Sequence, residues 1–188
     1  ATDYKNNVFK SDYAEYKKDL KFLKSKGETT ILTSEGYLLT GANIVFDNKN
    51  RFIRSNDKVI IKDLENNNIY LENFEYSIEN NFFKSIGKIK VVDSNNNTYN
   101  FSQIYIDEKK KEIIGTDIKA FLNQEEFKID KENKPRIFAN TIKIEKQSSE
   151  FTKSIFTMCN YRKGDKCPPW SLQASKMAHD KKKKTIYY

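Results

Sequence analysis

Apolar and polar positions alternate along most of this chain, and the alternation returns in a frame of thirty residues. Tyr16 with Phe22-Leu23-Lys24-Ser25, Phe46 with Phe52-Ile53-Arg54-Ser55, and Tyr76 with Phe82-Phe83-Lys84-Ser85 share that frame. It continues with small insertions through Ile106-Asp107 with Ile113-Ile114-Gly115-Thr116, Ile144-Glu145 with Phe151-Thr152-Lys153-Ser154, and His179-Asp180 with Ile186, six units in all. Within a unit the period-two flanks surround a short polar run, such as Asp47-Asn48-Lys49-Asn50, Glu79-Asn80-Asn81 or Asp107 to Lys111. Asn, Asp and Lys in such runs are turn chemistry, so each unit is predicted to be strand, turn, strand.

The period assigns faces. Ala42, Ile44 and Phe46 share one face, and Ile53, Ser55, Val59 and Ile61 share the next. Phe74, Tyr76 and Ile78 are followed by Phe83, Ser85, Ile89 and Val91. Ile104 and Ile106 are followed by Ile114, Thr116, Ile118 and Ala120. A β unit of this length cannot bury its own apolar face, so neighbouring units must stack to build a continuous core. The predicted fold class is all-β: a rolled antiparallel repeat solenoid, with residues 1–188 as a single domain.

Composition agrees with a thin, high-surface body, since 37% of the 188 residues are hydrophobic and the mean hydropathy is −0.80. No segment approaches the roughly 20 apolar residues that span a bilayer as a helix. The opening Ala1-Thr2-Asp3-Tyr4 has neither a basic nor an apolar leader region, which suits a cytosolic protein or one whose signal has been removed.

The formal net charge is +8, but its distribution is uneven. Residues 1–151 carry 25 basic and 24 acidic side chains, and the remainder carries nine and two. Basicity is therefore a property of the C-terminal end. The run Lys181-Lys182-Lys183-Lys184 falls where other units place a turn, which favours a solvated turn over an anion-attracting patch. Nucleic acid would call for Arg and stacking aromatics along a groove, and no nucleic-acid partner is expected. A single His, the lack of a Gly-rich phosphate loop and carboxylates placed mostly in turns offer no nucleophile and base pair. No enzyme activity, cofactor or metal site is predicted.

Cys159 and Cys167 are close in sequence, within a segment from Met158 to Ala174 that also holds Gly164 and Pro168-Pro169-Trp170. Reduced thiols, a metal pair and a local disulfide are all open. Structural zinc needs four ligands, and the chain offers these two cysteines and His179. A disulfide across this short loop suits an oxidising compartment and would stabilise by roughly 2–3 kcal/mol on the chain-entropy model.

The run Cys167-Pro168-Pro169-Trp170-Ser171-Leu172-Gln173-Ala174, followed by Ser175-Lys176-Met177-Ala178-His179-Asp180, a Lys turn and Thr185-Ile186-Tyr187-Tyr188, resembles the segment that closes the periplasmic domain of the LptD family of lipopolysaccharide-assembly proteins, the organic solvent tolerance proteins. The upstream units resemble the OstA-like repeats that this family shares with LptA and LptC. The resemblance implies a β-jellyroll with a V-shaped apolar slot that holds the acyl chains of lipopolysaccharide. It also implies a periplasmic location at the outer membrane, an LptA-like bridge protein as one partner and an outer-membrane barrel as the other. Such a barrel is not contained in these 188 residues, which read as an excised domain or a barrel-less relative. A cysteine link to the barrel, known in some relatives, gives way here to the local pair.

On this reading the candidate lipid-lining residues are Ile44, Phe46, Ile53, Ile61, Phe74, Tyr76, Phe83, Ile89, Ile104, Ile106, Ile114, Ile118, Ile142 and Ile144. The N-terminal unit, around Val8, Phe9, Tyr13 and Tyr16, is the candidate edge for the bridge protein, because an open solenoid leaves its first strand unpaired. The C-terminal end would face the barrel. The alternative function is a structural or adhesive β-repeat module that binds protein or polysaccharide on its outer face.

Overall fold

The computed structural model describes residues 1–2, 6–107, 109–110, 112–123, 133–144, 148–158, 170–180, 183 and 185–188, without the side chains of residues 179, 185 and 186. All described secondary structure is β. The strands are β1 (Val8–Lys17), β2 (Phe22–Leu32), β3 (Leu38–Ala42), β4 (Val45–Asp47), β5 (Phe52–Ser55), β6 (Val59–Lys62), β7 (Asn68–Leu71), β8 (Phe74–Ser77), β9 (Phe82–Val92), β10 (Thr98–Asp107), β11 (Glu112–Phe121), β12 (Arg136–Ile144), β13 (Ser148–Thr157), β14 (Leu172–Asp180) and β15 (Thr185–Tyr187).

These fifteen strands form one antiparallel sheet, with each run of chain paired to the one before and the one after. Three runs are broken in the middle, as β3 then β4, β5 then β6, and β7 then β8, so the fifteen strands amount to twelve rungs. The long strand β2 spans one break, pairing with β3 at one end and β4 at the other. β9 does the same with β7 and β8. Two rungs make each of the six units expected from the sequence, and the architecture is the predicted antiparallel repeat sheet.

The rungs bend along a crease. Gly27, Asn43, Gly87, Asp117 and Lys153 lie near mid-rung with positive φ, between 47° and 123°. A residue in this region cannot continue a flat ladder, and Gly, Asn and Asp enter it at low cost. The ladder slips alongside, between Ser11 and Tyr13 on β1 and between Phe101 and Gln103 on β10. Each such bulge adds a bend.

Backbone groups that lose their ladder partners at the crease are satisfied by buried serines. Ser25 Oγ accepts from Ile44 N–H at 2.8 Å, Ser55 Oγ donates to Ala42 O at 2.9 Å, and Ser85 Oγ donates to Asn73 O at 2.6 Å. The recurring Ser of the sequence frame is thus the clasp of the crease. In the fourth unit the sequence frame puts Thr116 at this position, but the register places Gly115 there, opposite the Ile104 that faces Ser85; a Cβ on Gly115 would stand 2.5 Å from the Phe101 ring, so only glycine lets the neighbouring rung pack that closely. The frame slips in the fifth unit. Ser154 follows the positive-φ residue Lys153, whereas Ser25 and Ser85 precede Gly27 and Gly87 by two positions.

One core occupies the inner face on both sides of the crease, including Ile44, Val59, Leu71, Phe74, Ile89, Phe101, Ile104, Ile118, Ile142, Phe151 and Met177. Crossing the crease changes which alternation faces inward. The inward pairs Leu71 and Phe74, Phe101 and Ile104, and Gly115 and Ile118 are three residues apart, so an even-numbered stripe continues as an odd-numbered one or the reverse.

At the end of the rungs away from the β4–β5 turn, Asp63 and Asp93 close their turns with the same bonds. Asp63 Oδ1 accepts from the N–H groups of Glu65 and Asn67, and Asp93 Oδ1 from those of Asn95 and Asn97, all at 2.8–3.0 Å. The asparagines then stitch one unit to the next. Asn7 Oδ1 accepts from Ser34 N–H at 2.7 Å, Asn67 Oδ1 from Ser94 N–H at 3.0 Å, and Asn97 Oδ1 from Asn123 N–H at 2.6 Å.

Candidate functional site: an apolar slot

Cross-strand register lines up the inner side chains into two rows, one on each side of the crease. The first runs Leu23, Phe46, Ile53, Tyr76, Phe83, Ile106, Ile113 and Ile144, each directly opposite the next. The second runs Phe9, Ile31, Leu39, Ile61, Ile69, Val91, Tyr99, Ala120, Ile137, Phe156 and Leu172. Neither row contains a charged residue. At about 4.8 Å per rung, the second row alone extends roughly 48 Å.

Burial is graded from the crease outwards. Residues beside it are closed off: Ile44, Val59, Ile89, Ile118 and Ile142 expose 1–2% of their surface. Most of the two rows is only half-buried, as at Ile53, Tyr76, Ile106, Ile113, Ile61, Ile69 and Val91. The inner face is therefore packed at its crease and accessible towards the turns. A half-rung of five residues spans about 17 Å, comparable with the roughly 15 Å hydrocarbon depth of one leaflet of a bilayer.

Of the fourteen candidate lining residues, Ile44, Phe74, Phe83, Ile89, Ile104, Ile118 and Ile142 sit in the buried core, and Ile53, Ile61, Tyr76, Ile106 and Ile144 pack against it half-buried. Phe46 is half-buried and in line with Ile53. Ile114 lies on the other face and is 40% exposed. Strict period-two reading carried the stripe of Ile118 and Ala120 backwards through Asp117, but the positive φ there shifts the inward positions to Ile113 and Gly115. Glu75 and Tyr105 alternate with Tyr76 and Ile106 and belong to the outer face, where Glu75 pairs with Lys84 at 2.8 Å.

Most of the second row was absent from the sequence-derived set. Ile31, Leu39, Ile69, Tyr99, Ile137 and Phe156 join it through the register of rungs that the thirty-residue frame left unassigned. The usable signal was the Asp-x-x-x-Asn spacing of Asp63 to Asn67 and Asp93 to Asn97, which marks the turns from β6 to β7 and from β9 to β10.

Among the described strands β1 is paired on one side only, to β2. The start of its open side is covered by residues 1–2: Phe9 N–H donates to Ala1 O at 2.8 Å, Ala1 N donates to Phe9 O at 2.7 Å, and Thr2 bridges Val8. Beyond that point no described residue pairs with the edge. Tyr13 and Tyr16 are 56% and 61% exposed, with the Lys26 ammonium 5.5 Å from the Tyr13 ring. At the other end, β15 pairs with residues 178–180 of β14 among the described residues.

Cys159, Cys167, Pro168 and Pro169 lie outside the described residues. Trp170 is described and stands edge-on to Phe156 at 6.2 Å, while Thr157 Oγ1 donates to its carbonyl at 2.7 Å. Among the described residues no group of three His, Cys, Asp or Glu side chains could hold a metal ion. Asp47 and Asp107 have their pKa values lowered, chiefly because their carboxylates accept the backbone N–H groups of Asn50 and Lys110 in the turns. These are turn bonds at the rim.

No family model matches the chain, and no curated protein sequence matches it. Among solved structures, the chain is similar to LptH, the LptA-homologous periplasmic component of the conserved lipopolysaccharide transport device from Pseudomonas aeruginosa. The identity is 18%, the match covers 57% of this chain and 79% of that one, and the TM-score is 0.48.

Proposed function

We propose that the chain is a non-enzymatic conduit domain, residues 1–188 acting as one OstA-like unit that receives the acyl chains of lipopolysaccharide in the slot and passes the lipid along its rungs. The observation that carries this reading is the pair of uncharged inner rows, continuous over many rungs and half-buried away from the crease. Burial of hydrocarbon is worth about 25 cal/mol per Å² and has no direction, so similar rungs hold a chain without fixing it at one place. That property suits passage. A catalytic site or a selective pocket would instead need convergent polar groups.

The same reading places the protein in the periplasm at the outer membrane. The open part of β1 from Ser11 to Lys17 offers backbone groups to a strand of an LptA-like bridge protein, and the β14–β15 end faces an outer-membrane barrel. The resemblance of Cys167 to Ala174 to the LptD family supports the assignment of ends.

Binding of lipopolysaccharide to Ile61→Asp and Ile106→Asp variants tests the slot, since both residues are half-buried and tolerate substitution better than the core. A carboxylate left against acyl chains has no partner, and affinity is expected to fall by at least about tenfold. Tyr105→Asp, on the outer face, is expected to bind as the parent does. Undiminished binding by folded inner variants would rule the slot out.

A further inference from the structure

A second site lies on the outside of the sheet. Over β6, β7, β9 and β10 a groove of about 440 Å³ crosses the rungs, floored by the ladder around Val59, Leu71 and Ile89. Its walls are outward side chains that alternate with those core residues: Lys58, Ile60, Tyr70, Glu72, Lys88 and Lys90. Ile60 and Tyr70 are 43% and 40% exposed, and the Lys90 ammonium stands 6.0 Å from the Tyr70 ring centre.

The wall is locally basic, with Lys58, Lys88 and Lys90 against one acid, Glu72. Some outward lysines of the sheet are matched by carboxylates, Lys84 by Glu75, Lys143 by Glu112 and Lys176 by Glu150, at 2.6–2.8 Å. Lys58, Lys88 and Lys90 form no ion pair among the described residues. Glu72, the one acid in the wall, turns its Oε2 to the backbone N–H of Lys88 at 3.1 Å. Three cations thus stand around an exposed aromatic ring and an apolar floor, with no counter-charge paired to them.

We infer that this groove binds an acidic glycan, a sugar chain bearing carboxylate or phosphate groups. The floor is backbone already bonded within the sheet, so it cannot add a peptide strand. The groove is open and shallow, which does not suit acyl chains. An exposed Tyr presents an apolar face to the C–H side of a sugar ring and a hydroxyl to its polar edge. The lysines supply charge on flexible stems that adapt to acidic groups along the chain. This site is separate from the slot and does not depend on what the slot carries.

Titration calorimetry on the intact chain, with oligogalacturonate as the carboxylated glycan and maltohexaose as the neutral one, tests the assignment. Oligogalacturonate is expected to bind, more weakly as salt is raised, and maltohexaose at least about tenfold more weakly because it lacks charge. Lys88→Gln/Lys90→Gln and Tyr70→Phe/Tyr70→Ala variants, checked for an unchanged thermal transition, separate the two contributions. The lysine pair is expected to lose about tenfold in affinity. Tyr70→Ala is expected to lose a similar factor, and Tyr70→Phe to retain most of the binding. Failure of the parent to bind oligogalacturonate, equal binding of poly-glutamate, or unchanged affinity in Tyr70→Ala would each overturn it; poly-glutamate binding as well as the glycan would mark a charge-only surface for acidic polypeptides.

Discussion

At the scale of single residues, the crease turns on hydroxyl groups whose partners are distant in sequence. Ser85 and Ser154 are both buried at about 1% exposure, but only one has work for its hydroxyl. Ser85 holds the Asn73 carbonyl, and Ser154 Oγ has no hydrogen-bond partner among the described residues. Ser85→Ala leaves a buried carbonyl unmet and is expected to lower stability by about 1–3 kcal/mol, whereas Ser154→Ala removes an unsatisfied group and is expected to be neutral or stabilising. Urea unfolding of the two variants checks the contrast, and equal losses would refute it. The recurrence of Ser was legible in the sequence; its task was not, because the carbonyl it meets lies 12 residues away on another rung.

The turn carboxylates make a pH prediction of definite sign. Asp47 and Asp107 titrate below their ordinary value of 3.8 because backbone N–H groups favour the ionised form. Their contribution is complete above that value and is lost as pH falls through the lower folded value. Unfolding midpoints of the parent and of an Asp47→Ala/Asp107→Ala variant, compared from about pH 5 down to about pH 2, are expected to converge at the acid end. A gap that persists or widens there would contradict the assignment.

Between residues and the whole stand the rungs. Period-two alternation located strands correctly wherever the crease left it intact, as in Ile53, Phe74, Tyr76 and Phe83. It failed at Ile114 because local alternation carries no information about a backbone that turns left-handed three residues later, at Asp117. The other ends of the rungs carry a ladder of amides instead of apolar contacts. Asn97 is 5% exposed, closes its own turn through Asp93 and accepts the Asn123 N–H of the next unit. Asn97→Ala is expected to speed amide hydrogen exchange at Asn123 while leaving Ile104 and Gly115 protected. Exchange raised equally throughout the sheet would mean that the ladder does not act locally.

For the molecule as a whole, stacking of six units produces two features that no unit has alone: a crease-backed apolar inner face roughly 48 Å long and an edge strand that is open over most of its length among the described residues. The apolar stripes were legible in the aromatic and Ile positions, whereas a slot was implied by the family resemblance alone. Its depth was not legible, since which residues are sealed and which stay half-exposed depends on distance from the crease. On the proposed function, that distinction selects where a lipid would touch. Phe74 and Ile104 are 4% and 3% exposed and sit too deep to report, whereas Tyr76 and Val91 lie on the accessible rows.

The most direct measurement is photocrosslinking to lipopolysaccharide, with a photoreactive residue placed at Tyr76 or Val91 and, for comparison, at outward Tyr105 or Ile114. Adducts at the two inner positions and none at the outer ones are the predicted result. Adducts equally strong at Tyr105 and Ile114, or none at Tyr76 and Val91 in folded protein with a working positive control, would contradict the slot as the path of the lipid.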